Sequence, residues 1–152
     1  MTIDFSRMIG DQDWVEMTVD QASPTYFWHD GSPLADAPVD MAKTFEGGMW
    51  VATNVDREFG LNRLRVAPNF TVPRHHHNVR ELIIVFEGEY FIESAGPAGG
   101  VTRVGPGDFF ASDPGTPYTM TAGPDGVIYT EQWDHPPSDL RTWWHDFGWV
   151  YR

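Results

Sequence analysis

Two histidines and a glutamate between Asn69 and Gly88 have the residue types and the spacing of metal ligands. His75 and His77 are two residues apart, so both imidazoles point to the same face of a β-strand. Glu81 keeps that parity, and a turn at residues 78–80 would return it towards the histidines. Two nitrogens and one carboxylate on one side of an ion suit non-haem iron(II) and other divalent ions. The spacing therefore predicts that His75, His77 and Glu81 bind a metal ion.

The other histidines are weaker candidates. His76 has the opposite parity, and we expect it to face away from the ion as a supporting or surface residue. His29, His135 and His145 lie outside any motif; the last two are alternatives for completing the coordination sphere, but ordinary polar residues are expected at all three positions. Glu131 is a candidate to orient a ligand histidine by accepting its other ring N–H.

The elements that must position these residues are short strands. From Gly48 onward, apolar stretches alternate with Gly, Pro and Asn, a pattern typical of an all-β sandwich or barrel. Roughly eight segments are predicted strands, enough for a jelly roll of two packed sheets: MWVATNV, LNRLRVA, the histidine strand, ELIIVFEGEYFIES, VTRV, DFFASD, YTMTA and VIYTEQW. Asn69, Gly88 and residues 96–100 are predicted hairpin points.

The side of the strand that carries Glu81 becomes apolar beyond the carboxylate. Ile83 and Val85 share the parity of Glu81, so we expect them to line an apolar substrate pocket beside the metal. The residues of opposite parity, which are expected to be plain core, are Leu82, Ile84 and Phe86.

The segments on either side of the barrel are read as an arm and a tail. Residues 1–47 are predicted to be an N-terminal arm, with a strand in DWVEMTVD and irregular structure across residues 21–40. Residues 48–134 form the predicted barrel and residues 135–152 the tail, in which Ser138 is placed to cap a short helix through Trp144. The tail aromatics, expected to cover the barrel or a neighbouring subunit, are Trp143, Trp144, Phe147, Trp149 and Tyr151.

The stretch that contains the histidines resembles the first motif of the cupins. That motif is a small residue, five residues, His-x-His, three or four residues, Glu, six residues and Gly. Here it runs from Asn69 through His75, His77 and Glu81 to Gly88, and only Asn69 departs, where the motif has Gly.

A second stretch, from Gly107 to Ala122, is similar in spacing to the second cupin motif. The proline is shifted by one position to Pro114, and Tyr118 stands where the motif has a histidine that serves as the fourth ligand. The resemblance covers about residues 48–134. It implies a jelly-roll barrel in which Tyr118 and Met120 face the interior, with Met120 in the pocket wall, and an arm that packs on the barrel or adds a strand to a partner in a homodimer.

Three roles are open for Tyr118. It is a fourth ligand if the ion lowers the pKa of the phenol, a hydrogen-bond donor or general acid/base towards substrate, or a barrel filler. We expect the second role, with Tyr118 and Glu81 as the catalytic residues. The site then has three protein ligands and open positions for a bidentate substrate.

Composition excludes several classes of protein. The chain of 152 residues suits one domain, and its lack of Cys leaves only N and O ligands for a metal. A net charge of -12 argues against nucleic-acid binding. The longest apolar run, residues 82–86, is too short to cross a bilayer, and the N-terminus has no signal layout, so a cytoplasmic protein without a membrane partner is expected.

The function predicted first is a mononuclear iron dioxygenase, an oxidoreductase that cleaves a small oxygen-chelating ketone, diketone or aromatic substrate. One divalent ion per chain is expected, with Fe(II) favoured and Zn, Mn or Ni as alternatives. The second hypothesis is a non-redox isomerase, cyclase, lyase or dehydratase, with Tyr118 as acid/base. The third is a non-catalytic barrel that binds a small molecule.

Overall fold

The computed structural model describes residues 13–17, 25–29, 32–34, 45–52, 61–94, 100–135 and 139–145. The eleven elements whose bounds lie within these ranges are all β-strands, which confirms the all-β prediction. The strands, β1 to β11 in chain order, are Trp14–Glu16, Thr25–His29, Ser32–Leu34, Met49–Ala52, Leu61–Val66, Thr71–His77, Glu81–Ser94, Gly100–Val104, Phe109–Ser112, Tyr118–Trp133 and Thr142–His145. Within the same ranges, no helix has the length and apolar character needed to span a membrane.

The strand predictions hold in the barrel and fail at its two ends. Each of the predicted barrel segments contains a strand, and YTMTA and VIYTEQW are joined as the single strand β10. The arm strand in DWVEMTVD is confirmed by β1. The irregular structure predicted for residues 21–40 is wrong where β2 and β3 form, and the helix predicted through Trp144 is wrong because residues 142–145 form β11.

The sheet is centred on β10. On one side β10 pairs with β7, and on the other it pairs first with β6 and then with β5. From β5 the sheet continues to β4 and β1, from β6 it continues to β11, β2 and β3, and β7 also carries β8 and β9. Strands of the predicted arm and tail thus join the sheet of their own chain, and the curled antiparallel sheet is the expected jelly roll.

Both long strands change phase at the same place. In β7 the fully buried side chains are odd-numbered before Gly88, such as Ile83 and Val85, and even-numbered after it, such as Tyr90 and Ile92. The pairing of β10 with β7 shifts register between Ala122 and Val127, opposite this point. These bulges keep both halves of each strand facing the core, which an unbroken alternation would prevent.

Gly88 is the residue that permits this close approach. It was predicted to be a hairpin point, but it lies inside β7 with a φ of 70°, and an added Cβ would lie 1.9 Å from the carbonyl oxygen of Gly126. Asn69 turns the chain between β5 and β6 with a φ of 57°, but both of these strands pair with β10 and not with each other, so the turn is confirmed and the hairpin is not. Asn is the residue type, after Gly, that best tolerates this conformation, which explains why it replaces the motif glycine.

One large core fills the interior of the sheet. It contains aliphatic residues and three buried tyrosines, Tyr90, Tyr118 and Tyr129, together with Phe45 and Trp144 from outside the strands of the motif. The rings of Phe45 and Trp144 are in edge contact at 5.2 Å. A separate small cluster, formed by Val79, Trp133 and Leu140, lies next to the turn between β6 and β7.

Replacing Gly88 by Ala tests the bulge. We expect the free energy of unfolding to fall by roughly 3 kcal/mol, because the new methyl group meets backbone that cannot move aside and the residue keeps a positive φ. Gly107→Ala is the matched control: its φ is 85°, but nothing lies within 4 Å of the added Cβ, so only the conformational cost of roughly 1 kcal/mol remains. Chemical denaturation measures both, and equal losses would contradict the steric role of Gly88.

Candidate metal centre

His75 lies in the middle of a row of side chains that crosses three strands. Its residue is paired with Tyr118 on β10 and with Trp144 on β11. Because directly opposed residues share a face of the sheet, all three side chains point into the interior. The ring of His75 lies 4.7 Å from the ring of Tyr118 and 4.7 Å from that of Trp144, and all three are buried.

The turn at residues 78–80 brings His77 and Glu81 together, as the spacing predicted. Nε2 of His77 lies 3.5 Å from Oε1 of Glu81, and the rings of His75 and His77 are 5.2 Å apart. None of the three side chains is more than 8% exposed. The structure therefore brings the three predicted ligands to one place inside the barrel.

Both histidines are held in the neutral state. Burial, and secondarily the neighbouring charge of His77, lowers the pKa of His75 to about 3, and burial lowers the pKa of His77 to about 4. Nδ1 of His75 donates to the carbonyl oxygen of Pro73 at 2.7 Å, and Nδ1 of His77 lies 3.0 Å from Oγ1 of Thr142. These contacts orient the rings and leave Nε2 of each available as a ligand atom.

Glu81 is the most deeply enclosed charged residue of the site. Its Oε2 accepts hydrogen bonds from the hydroxyls of Tyr118 and Ser112, whereas its buried Oε1 has no hydrogen-bond partner. Burial raises the pKa of the carboxyl group, and hydrogen bonds from Tyr118, Ser112 and the neighbouring carboxyl group of Glu131 oppose that rise. The pKa of Tyr118 is raised well above its usual value by burial and by the charge of Glu81, so the phenol stays protonated near neutral pH.

The donor set fits a divalent ion, although the side chains do not form a finished cage. In the part of the chain that the structure describes, no set of three or more His, Cys, Asp or Glu residues is arranged to hold an ion as it stands. Tyr118 and Ser112 take one oxygen of Glu81, so only Oε1 is left for an ion. Two neutral imidazoles and one unpartnered carboxylate oxygen are nevertheless the acceptors that a divalent cation requires.

Glu131 contacts the site in a different way from the one predicted. It does not orient a histidine; it lies beside Glu81, and Nδ2 of Asn62 donates to its Oε1 at 3.2 Å. Burial, and then the charge of Glu81, raises the pKa of Glu131. Two carboxyl groups, the buried Glu81 and the partly buried Glu131, thus lie next to each other on the inner side of the sheet.

The remaining histidines are outside the ligand group. His76 faces away from His75 as predicted, and its ring stacks on Trp143 at 5.1 Å while its Nδ1 lies 2.8 Å from Nε2 of His145. It is buried, so the surface alternative for it is wrong. His135 is exposed and contacts Asp134 with Nδ1, as expected of an ordinary polar residue. The side chain of His29 lies outside the described residues.

The predicted pocket residues are fully buried next to the site. Ile83, Val85 and Met120 belong to the same core as Tyr118, so their inward direction agrees with the parity argument, and a role in binding substrate stays a prediction. The residues of β7 with the parity opposite to Glu81 are only partly buried and lie on the outer face of the sheet. Their predicted assignment to the core is therefore wrong for Leu82, Ile84 and Phe86. An open cavity of about 390 Å³ lies on the other side of the sheet, near the bulges, between Trp50, Arg65 and Glu87.

Three supporting residues were missed in the sequence. Ser112 and Thr142 gave no signal, because an isolated hydroxyl residue is equally common at a surface. Trp133 shares the parity of Glu131 in β10, and it lies opposite Glu81 in the pairing with β7.

The tail aromatics were expected to cover the barrel, and Trp144 does so by packing against His75. Phe147, Trp149 and Tyr151 lie outside the described residues.

Comparison with known proteins agrees with this architecture. A model of the cupin domain matches residues 62–127. A tryptophan-to-tyrosine variant of oxalate decarboxylase from Bacillus subtilis is 21% identical over 59% of this chain and 26% of its own, with a TM-score of 0.50. The same enzyme at pH 4.6 gives 20% identity over 59% and 25% of the two chains and a TM-score of 0.51.

A DMSP lyase from Ruegeria pomeroyi is 17% identical over 57% of this chain and 38% of its own, with a TM-score of 0.45. No curated protein matches the sequence. The alignments cover only about a quarter of the decarboxylase chains, and at this identity the likeness shows the fold alone.

Removal of single candidate ligands tests the metal centre. We expect His75→Ala, His77→Ala and Glu81→Gln each to weaken Mn(II) or Zn(II) binding by at least roughly 100-fold, since loss of an outer hydrogen-bond partner alone costs 10- to 100-fold. His135→Ala is the control and is expected to bind like the wild type, because His135 is exposed. Metal content after dialysis against a metal buffer measures the affinity, and wild-type affinity in the His75 variant would refute the assignment.

The carboxyl pair predicts a pH-dependent stability. Because the pKa of Glu131 is raised on folding, its contribution is complete at acid pH and is lost as the pH rises towards the folded value. In the metal-free protein we expect Glu131→Gln to increase stability at pH 8 by roughly 1 kcal/mol for each pKa unit removed, and to change little at pH 4.5. The exposed Glu93→Gln should have no effect at either pH, and equal effects of Glu131→Gln at both pH values would contradict the burial argument.

Proposed function

We propose that this chain, of which residues 62–127 match a model of the cupin domain, is an enzyme in which His75, His77 and Glu81 hold one divalent metal ion. The observation that carries the proposal is that Nε2 of His77 lies 3.5 Å from a buried oxygen of Glu81 that has no hydrogen-bond partner among the described residues, while the ring of His75 lies 5.2 Å from that of His77. A cluster of acceptors without matching donors is costly in a protein interior unless a cation binds to it.

The ligand types do not select one metal. Mn(II) centres are described for the oxalate decarboxylase of Bacillus subtilis, which shares the fold. Imidazole and carboxylate ligands also accept Fe(II), Zn and Ni, and no thiolate is present to favour a softer ion. A bound divalent ion would supply Lewis-acid activation of a carbonyl or carboxylate oxygen of the substrate.

Tyr118 is the residue that we assign to proton transfer. Its phenol is protonated near neutral pH, and its hydroxyl already donates a hydrogen bond to Glu81 inside the site. A group in this position can donate to an oxygen on which negative charge develops during the reaction. This favours the non-redox alternative, a lyase, isomerase, cyclase or dehydratase that acts on a small substrate with two oxygens able to chelate the ion.

The dioxygenase remains the second candidate, and a different observation favours it. The candidate ligands are buried, and the aromatic rings of Trp144, Tyr118 and Phe110 lie around them. An enclosed apolar shell keeps water away from reactive species, which oxygen chemistry requires. In either case, a small-molecule substrate and a homodimer are part of the proposal.

Replacing Tyr118 by Phe tests its role. With zinc-loaded protein under anaerobic conditions, we expect the wild type to accelerate exchange of the methyl protons of pyruvate with D₂O, because both oxygens of a 2-oxo acid can chelate the ion. With both proteins saturated with zinc, Tyr118→Phe is expected to slow this exchange by roughly 10²- to 10⁴-fold. Saturation is needed because loss of the hydrogen bond to Glu81 also weakens zinc binding by about 10- to 100-fold. Proton NMR follows the exchange.

Tyr90→Phe is the matched control, since Tyr90 is an equally buried phenol whose ring contacts Tyr129. Exchange at the wild-type rate in Tyr118→Phe would remove Tyr118 from the chemistry. Oxygen consumption by iron-loaded protein, with no activity of the zinc form, would favour the dioxygenase. Metal binding without either activity would favour the non-catalytic barrel.

A further inference from the structure

Trp133 lies at the edge of the candidate metal centre. It is the last residue of β10, and its register partner on β7 is Glu81. Its ring meets the ring of His77 edge-on, with 6.5 Å between centroids. Trp133 therefore belongs to the immediate surroundings of both His77 and Glu81.

The indole N–H of Trp133 has no hydrogen-bond partner, although the side chain is only 6% exposed. Tryptophan is purely a donor, and a buried donor without an acceptor costs about 1–3 kcal/mol. Trp133 could be replaced by Phe at little steric cost if only its packing mattered. Because no protein acceptor among the described residues reaches this indole N–H, a bound ligand would explain it by supplying the missing acceptor.

We propose that Nε1–H of Trp133 donates a hydrogen bond to an oxygen of the small molecule bound at the His75, His77 and Glu81 centre, and so selects ligands with a carboxylate or carbonyl oxygen. The inference rests on the proposed function, because it requires a ligand at that centre. It gives Trp133 a role in specificity that is separate from holding the ion. A ligand that binds through nitrogen and has no oxygen gains nothing from this donor.

Two apolar side chains pack against Trp133. Val79 and Leu140 form a cluster with Trp133 that is separate from the main core. Asn78 ties the segment that carries Leu140 to the turn before Glu81, since its Nδ2 donates to the carbonyl of Asp139 at 2.9 Å and its Oδ1 accepts from N–H of Arg141 at 2.7 Å.

The test compares two probes on zinc-loaded protein: acetohydroxamate, which chelates through two oxygens, and imidazole, which has none. We expect Trp133→Phe to weaken acetohydroxamate binding about tenfold, the effect of losing one hydrogen bond, and to leave imidazole binding unchanged. Trp50→Phe is the control, since Trp50 lies on the outer side of the sheet against Arg65. Calorimetry gives the affinities.

A second readout needs no variant. In wild-type protein with ¹⁵N-labelled tryptophan, the assigned indole N–H resonance of Trp133 should move downfield on addition of acetohydroxamate and much less on addition of imidazole. The inference would be overturned if the indole resonance did not move, or if Trp133→Phe weakened the binding of acetohydroxamate and of imidazole equally. If zinc and acetohydroxamate bind and only the Trp133 effects are missing, the inference fails alone; if zinc does not bind, the proposed function fails and the inference falls with it.

Discussion

The hydrogen bond that Tyr118 donates to Glu81 offsets the cost of burying a carboxyl group among aliphatic and aromatic side chains. A buried carboxylate is tolerated only when donors or a cation compensate the lost water. Tyr118 and Ser112 compensate one oxygen, and the other is left for an ion. The sheet has to bring β6, β7, β9 and β10 together to provide these partners, so the arrangement of strands and the chemistry of the site depend on the same carboxyl group.

The first half of the site could be read from the sequence because it is local. His75, His77 and Glu81 lie on two consecutive strands joined by a turn of three residues, and strand parity with this short turn is enough to bring them together. Tyr118 was found only through the resemblance of its surroundings to a motif, since no local rule connects it with Glu81. The strands of the barrel were also predictable, because alternating apolar residues between Gly, Pro and Asn leave few alternatives.

Other features of the fold depend on pairing between strands that are far apart in the sequence, and they could not be predicted from local sequence patterns. Gly88 looks like a hairpin glycine, and only the approach of Gly126 shows that it belongs to a bulge. The bulge in β10 also explains why both Tyr118 and Glu131 face inward, although they have opposite parity. The tail sequence around Trp143 and Trp144 suits a helix or a strand equally well. It forms a strand because the edge of β6 that does not pair with β10 offers backbone hydrogen-bond partners to residues 142–144.

The position of β11 has a consequence for folding kinetics. His75 is enclosed only when residues far along the chain, Tyr118 and Trp144, pair with β6 on its two sides. Closing such long loops is slow, because the entropy of the intervening chain is lost before the new contacts compensate for it. We therefore expect the contacts around His75 to form late in folding, after most of the barrel has assembled. A bound ion should slow the unfolding of the chain and leave its refolding rate almost unchanged, which stopped-flow measurements with and without metal would show.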